Sequence, residues 1–439
     1  MIIITIIAFL FIIAFSVTIH ELGHLLLAKL FKIPVEKFSI GFGPPLVRKK
    51  IGETDFRIAY FPVGGYVKMT GEDEGEIQIF KKKQEVEFER SIVDGETVPG
   101  FYDVPIYHRI LVVLSGPIFN ILSAVIVLFF VYVVFGVYVN PHLRIKVEEK
   151  NFAKEYGFLN GDSLIAINDK KLNSWDDFLK FIDLNLNKKI EITLKREDRV
   201  IKKELFVESE SLGISPLIPP VIGSVKIGGP ADRAGLKTGD RILKVAQNEI
   251  DDWDEFVNLV RSSKNVPLNF VWESGGEVKE AEITPLPYYD PILKDTIGQI
   301  GVMIQMAKNR IYPHQAFVMA INRTIEIIGL TLKTLYQLIL GKVSRKALGG
   351  PIAIAQLSGE SARWGFENFL GLVSIISINL GLVNLFPIPG LDGGHIVIAI
   401  IEGIRKKRFT RKTRMVIQQI GYTILLLLII YVTFNDLTR

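Results

Sequence analysis

The chain has 439 residues, 49% of them hydrophobic, a mean hydropathy of +0.31 and a net charge of only +5. That balance describes a membrane protein with room for several units, and basic residues gathered beside apolar segments argue against a nucleic-acid partner. There is no Cys, which excludes a disulfide, a thiol nucleophile and a thiolate metal site.

An apolar run opens the chain. From Ile2 to Ala28 the only ionisable side chains are His20, Glu21 and His24. The run lacks a basic leading segment and an A-x-A cleavage pattern, so residues 1–30 are predicted to be a retained transmembrane helix. The pentad His20-Glu21-Leu22-Gly23-His24 sets two imidazoles four residues apart on one helix face, where both reach one Zn²⁺. Glu21 stands between them, placed to act on a water. Ionisable groups at membrane depth cost about 2.5–3.5 kcal/mol each on insertion scales, so their presence points to function.

Residues 31–108 read as a small β-sheet followed by a cytoplasmic loop. Val35-Glu-Lys-Phe-Ser-Ile and Phe56-Arg-Ile-Ala-Tyr-Phe alternate as strands do, interrupted by Gly41-Phe42-Gly43-Pro44 and Gly64-Gly65. The charged stretch Glu72–Gly100 predicts a mobile loop. A second span covers 109–139, where Ile110–Val139 contains no charged residue.

An internal repeat follows. Gly157-Phe-Leu-Asn-Gly161-Asp162 recurs as Gly235-Leu-Lys-Thr-Gly239-Asp240, and Trp175-Asp-Asp-Phe178 recurs at the same interval as Trp253-Asp-Glu-Phe256. Each copy reads as a turn, a short apolar strand, a second turn and a helix. The arrangement resembles PDZ domains of the circularly permuted bacterial type, which implies two α+β PDZ domains at 140–210 and 211–289. Such modules bind an extended peptide at a sheet edge; duplicated spacers without a ligand are the alternative. Leu212-Gly213-Ile214 is the carboxylate-loop candidate for the second copy, with no counterpart in the first. Residues 290–365 are read as a linker whose Ala316–Leu340 forms an amphipathic helix at the membrane surface rather than a span, because Arg323, Glu326 and Lys333 interrupt it.

A third span is placed at 366–394, a basic cytoplasmic loop at 395–414 and a fourth span at 415–434. Lys29, Lys32, Lys37, Arg48, Lys49 and Lys50 follow the first span, and Arg405 to Arg414 carries seven basic residues. Both flanks should therefore be cytoplasmic, which leaves 140–365 outside. The fold class is then a polytopic α-helical membrane protein with four transmembrane helices, a small membrane-associated β-sheet and two extracytoplasmic α+β domains. The first and third spans run in the same direction, so the pentad and Asp392 fall at similar depth. Asp392 is the candidate third ligand, in a helix broken by Pro387 and Pro389. His395 competes for that role.

With these motifs assembled, the chain resembles the bacterial site-2 proteases, most nearly those of the regulator of sigma-E protease type. The resemblance rests on HELGH in a first span, Asn384-Leu-Phe-Pro387-Ile-Pro389-Gly-Leu391-Asp392-Gly in a late one, and PDZ modules between them. It covers essentially the whole chain. It implies a multi-pass protein of the bacterial inner membrane in which His20, His24 and Asp392 hold Zn²⁺ and Glu21 activates water. It implies that Asn379 and Asn384 hold substrate, with helix–helix hydrogen bonding as the alternative for each. It further implies that Gly41-Phe42-Gly43 is the edge of a re-entrant hairpin that pairs with unwound substrate. Ser115-Gly116-Pro117-Ile-Phe-Asn120 matches a second-helix motif, where close helix packing is expected. The partners implied are lipid, single-span transmembrane substrates such as an anti-sigma factor or signal-peptide remnants, and peptide ligands of the PDZ domains.

Overall fold

The computed structural model describes residues 2–71, 92–93, 96–97, 100–147, 152–209, 212–290, 295–342 and 349–438. The charged stretch Glu72–Gly100 therefore lies largely outside the described residues. The chain divides into two compact units, Met1–Val134 with Tyr312–Arg439, and Phe135–Ile311.

Among the described residues, the first unit holds seven long helices and one sheet of long strands. Helix α1 (Ile2–Leu30) is apolar along its whole length and runs without a proline. Two strands follow, β1 (Val35–Ile51) and β2 (Thr54–Met69), joined by a tight turn at Gly52. Both strands are long and bent, and their register explains the shape. Residues 37–40 pair on one side with Asp55–Ile58 and on the other with Gly65–Lys68, so β2 folds around β1. Pro45–Ile51 adds a further row beside Thr54–Ala59. One free edge is thus the Gly65–Met69 end of β2. The other is the Pro45–Ile51 row.

Helix α2 (Ile106–Phe135) continues through Pro117. Helix α3 (Pro313–Ile339) coincides with the expected amphipathic segment. It lies against spans rather than on the surface alone, because Ile327 packs with Ala124, Ile378 and Leu382. Helix α4 (Pro351–Arg363) starts at a proline suited to the first turn, where the missing N–H is not needed. Helix α5 (Phe366–Asn384) stops before Pro387 and Pro389, and α6 (Asp392–Arg405) begins a new axis. The expectation of one span over 366–394 is therefore corrected: Asp392 opens the next helix rather than closing the last. The basic loop expected at 395–414 is likewise helical to Arg405, because Ile398, Ala399 and Glu402 are buried. Helix α7 (Arg411–Leu437) closes the unit. Of these seven, α1, α2, α5 and α7 are long and apolar enough to cross a membrane, which matches the four predicted spans.

The second unit contains two lobes with separate cores. One core gathers Ile145, Phe158, Phe178, Ile192 and Leu212, the other Ile222, Phe256, Phe270, Trp272 and Ile300. Each lobe carries a four-stranded antiparallel sheet of the same strand order. The repeated Asp closes the same turn in both lobes, where Asp162 Oδ2 accepts from the Leu159 N–H and Asp240 Oδ2 from the Lys237 N–H, each at 2.9 Å. The lobe boundaries differ from 140–210 and 211–289. Leu212 is buried in the first core and Ile214–Pro216 pairs with Ile145–Val147, so Leu212-Gly213-Ile214 belongs to the first lobe. Its counterpart in the second lobe is Ile300-Gly301-Val302, leading into a strand paired with Ile222–Val225.

Candidate metal centre

Three side chains from two distant segments meet beside a cavity of about 300 Å³. The helical period brings His20 and His24 onto the buried face of α1. The Pro387–Pro389 break turns the chain so that Asp392 stands in the first turn of α6, where the positive end of the helix dipole favours a carboxylate. His20 Nε2 lies 3.0 Å from Asp392 Oδ2, His24 Nε2 lies 3.6 Å from Asp392 Oδ1, and the two Nε2 atoms are 3.2 Å apart. A tetrahedral ion with bonds near 2.0–2.1 Å needs ligand atoms about 3.3 Å apart; the two imidazole nitrogens meet that spacing, and each has one of the two Asp392 oxygens near it. Among the described residues this is the one group of His, Asp or Glu side chains with metal-binding proximity. His395 lines the same cavity but is outside the group.

The other ring nitrogens are engaged, as ligating histidines require. His24 Nδ1 lies 2.9 Å from the Val112 carbonyl, which selects the tautomer with Nε2 free. His20 Nδ1 lies 3.2 Å from Asn120 Nδ2, while buried Asn120 Oδ1 has no partner. Turned over, that amide presents Oδ1 to accept from Nδ1–H and leaves His20 Nε2 facing the cluster. Asp392 Oδ2 is also buried without a hydrogen-bond donor. That orphaned carboxylate oxygen fits a cation among the three ligands.

Gly116 is what lets α2 approach. A Cβ there would meet His24 Nε2 at 2.5 Å and His20 Cε1 at 2.8 Å. The Ser115–Asn120 segment, expected only to pack, therefore forms the floor under both imidazoles. Asn120 was detectable as a polar residue within a charge-free span, but its partner was not.

The remaining expected site residues divide. Glu21 and Asn384 line the cavity, and Asn384 Nδ2 is 3.4 Å from His20 Nε2. Asn379 does not line it; its Oδ1 accepts from Thr331 Oγ1 at 2.9 Å, a contact between α5 and α3. Gly41 and Gly43 also stand apart from the lining, and the Phe42 ring packs on Gly64 and stacks with Tyr66. The strand facing the cavity is Gly64-Gly65-Tyr66-Val67, on the free edge of the sheet. The Gly41–Gly43 edge expected to pair with substrate is not part of this lining; in the strand register Phe42 stands opposite Phe61.

The sequence model of peptidase family M50 matches residues 8–428. The chain belongs to peptidase family M50. This M50 peptidase is 30% identical over 458 residues to the regulator of sigma-E protease RseP of Escherichia coli K12, covering 98% of both chains. It is 31% identical over 459 residues, and 99% of each chain, to a relative from Neisseria meningitidis serogroup A whose name reads zinc metalloprotease. A crystal structure of the PDZ domain of the SdrC-like protein from Listeria monocytogenes matches 19% of this chain and 84% of its own, at 25% identity and a TM-score of 0.17. The M50 peptidase is thus a zinc metalloendopeptidase with Zn²⁺ as its cofactor.

Proposed function

We propose that the chain is an intramembrane endopeptidase that cuts transmembrane segments of single-span membrane proteins. The observation that carries this reading is the position of the ligand cluster, between helices apolar enough to span a bilayer and beside a cavity that also holds Glu21. His20, His24 and Asp392 would hold Zn²⁺, which when bound supplies Lewis acidity toward the scissile carbonyl and lowers the pKa of water. Glu21 takes the proton from the attacking water and returns it to the leaving amine. Asn384 sits where it can donate to a substrate carbonyl.

A substrate helix hides its carbonyls in internal hydrogen bonds, so it must unwind before attack. In hydrocarbon the freed backbone groups need partners, and the open edge at Gly64–Val67 offers a row of them by strand addition. The pattern of basic flanks supports an orientation with the cluster toward the cytoplasmic side of the inner membrane and the two PDZ-like lobes outside. Lobes so placed would admit substrates already shortened by an external cut. An anti-sigma factor and signal-peptide remnants are substrates of that form.

The test is cleavage of a single-span substrate in detergent. Glu21→Gln should retain zinc and abolish cutting. Wild-type turnover by that variant would overturn the assignment of the base.

A further inference from the structure

Away from the metal cavity, α6 carries a second buried charged group. Glu402 is 1% exposed and lies on the same helical stripe as Asp392, His395 and Ala399, about 15 Å along the axis from Asp392. Its Oε2 accepts from Arg109 Nη1 at 2.8 Å. Oε1 accepts from the Phe409 N–H at 2.8 Å and stands 3.7 Å from Arg414 Nη1. Arg109 and Arg414 are themselves nearly buried, and both face the Tyr102 ring, at 4.7 Å and 3.7 Å from its centroid. One carboxylate thus joins α2, α6 and the start of α7. Its location is a poor one for stability alone, since a buried ion pair is often no better than apolar packing of the same volume.

Both helices also reach the metal cluster, each through the imidazoles of α1. On α2, Arg109 is followed by Val112, whose carbonyl holds His24 Nδ1, and by Gly116, beneath both imidazoles. On α6, Glu402 is preceded by Asp392. The pair at one end therefore sets the axial register of α6 along α2, and with it the position of the third ligand beside the first two. Between the two ends lie Phe101, Val113 and His395, which line both the metal cavity and the small chamber next to Arg109. A slide of one residue would move Asp392 by about 1.5 Å, whereas metal–ligand distances tolerate about 0.2 Å.

We infer that Glu402, held by Arg109 and Arg414, is a positioning residue for the zinc centre: it fixes the helix that presents Asp392. The inference rests on the ligand set His20, His24 and Asp392 proposed above. Groups bonded directly to a ligand govern metal affinity by about 10–100-fold; Glu402 acts through the helix, and its effect should lie toward the lower figure.

The experiment measures zinc affinity of the purified full-length protein by chelator competition, together with the visible spectrum of the Co²⁺-substituted form. Glu402→Gln should weaken zinc binding at least tenfold and alter the Co²⁺ spectrum. Raising free zinc should restore its turnover with KM unchanged, which general structural damage would not allow. Because that variant leaves two guanidiniums in one buried site, Arg109→Lys is measured beside it. It keeps the charge but loses the fork, and should show a smaller loss of affinity in the same direction. Wild-type affinity and spectrum in Glu402→Gln overturn the inference. If that variant cannot be purified folded, wild-type values in Arg109→Lys overturn it instead. Asp392→Asn separates the two levels: if it too binds zinc normally, the ligand set fails, whereas a loss confined to Asp392→Asn defeats only the role of Glu402.

Discussion

Gly116 shows how much of the metal centre depends on a missing side chain. By helix propensity alone, Gly116→Ala should stabilise α2 by about 1 kcal/mol. Yet the added carbon would stand 2.5 Å from His24 Nε2 and 2.6 Å from His24 Cε1, so an imidazole must move. The predicted outcome is a well-inserted protein with zinc content reduced at least tenfold and activity reduced in proportion, read by metal analysis and proteolysis. Retention of full zinc would mean that α2 shifts away at little cost. Asn120 is the complementary case, a side chain present where apolar packing would do. Asn120→Leu removes the partner of His20 Nδ1 and should lower zinc affinity about 10–100-fold. Asn120→Asp, which can still accept from Nδ1–H, should lose less. Equal losses in both would show that the amide serves packing rather than the ring.

At the scale of elements, the paired lobes offer an internal comparison. Asp162 and Asp240 make the same turn bond, but Arg196 adds contacts to Asp162 at 2.7 and 2.8 Å, and Ser274 stands where that Arg would be in the second lobe. Burial pushes the Asp162 carboxyl up, but the Arg196 pair and the Leu159 N–H outweigh it and hold the pKa below the ordinary carboxylate value. Its folded pKa is below its unfolded one, so the pair stabilises the first lobe fully above the unfolded value of about 3.9 and loses that contribution as pH falls through the folded value. Asp162→Asn should therefore cost about 2 kcal/mol at neutral pH and progressively less in acid. Asp240→Asn should cost less at neutral pH, about 1 kcal/mol. Protease susceptibility of each lobe against pH measures both, and equal sensitivity of the two variants would contradict the role of Arg196. On the membrane side, Asp436 near the end of α7 accepts from the N–H groups of Gly350, Ile352 and Ala353 at 2.9–3.1 Å. It therefore caps α4 from a distant part of the chain.

What could be read from the sequence follows from the range of the contacts involved. The pentad, the four spans and the repeat are periodic or local patterns, so they were legible. That Asp392 reaches His20 was legible only through depth, because the two prolines marked a break but not the direction of the new helix. Gly41-Phe42-Gly43 and Gly64-Gly65 look alike as turn signals, and only the double pairing of residues 37–40 shows that Gly65–Met69 is a free edge of the sheet. Asn120 against His20, Asn379 against Thr331, and Arg109 against Glu402 are contacts between distant helices for which no local pattern exists.

At the scale of the whole molecule, the Phe135–Ile311 unit has its own cores, and its entry and exit are tied together: Val137–Val139 pairs antiparallel with Ala307–Asn309. Because Val139 and Ala307 are direct strand partners, residues 140–306 can be excised and the ends joined by a two-residue Asn-Gly hairpin turn. That deletion leaves every residue of the metal centre and the Arg109–Glu402 pair in place. If the lobes act as a size gate, the shortened protein should cut a trimmed single-span substrate at close to the full-length rate. It should also cut the same substrate carrying a folded external domain, which the full-length protein should process far more slowly. Competition between the two substrates in one reaction gives the ratio of kcat/KM values directly, and the gate predicts that this ratio collapses toward one on deletion. A ratio unchanged by deletion would place discrimination in the membrane unit, with the open edge at Gly64–Val67 and its cavity as the first elements to test.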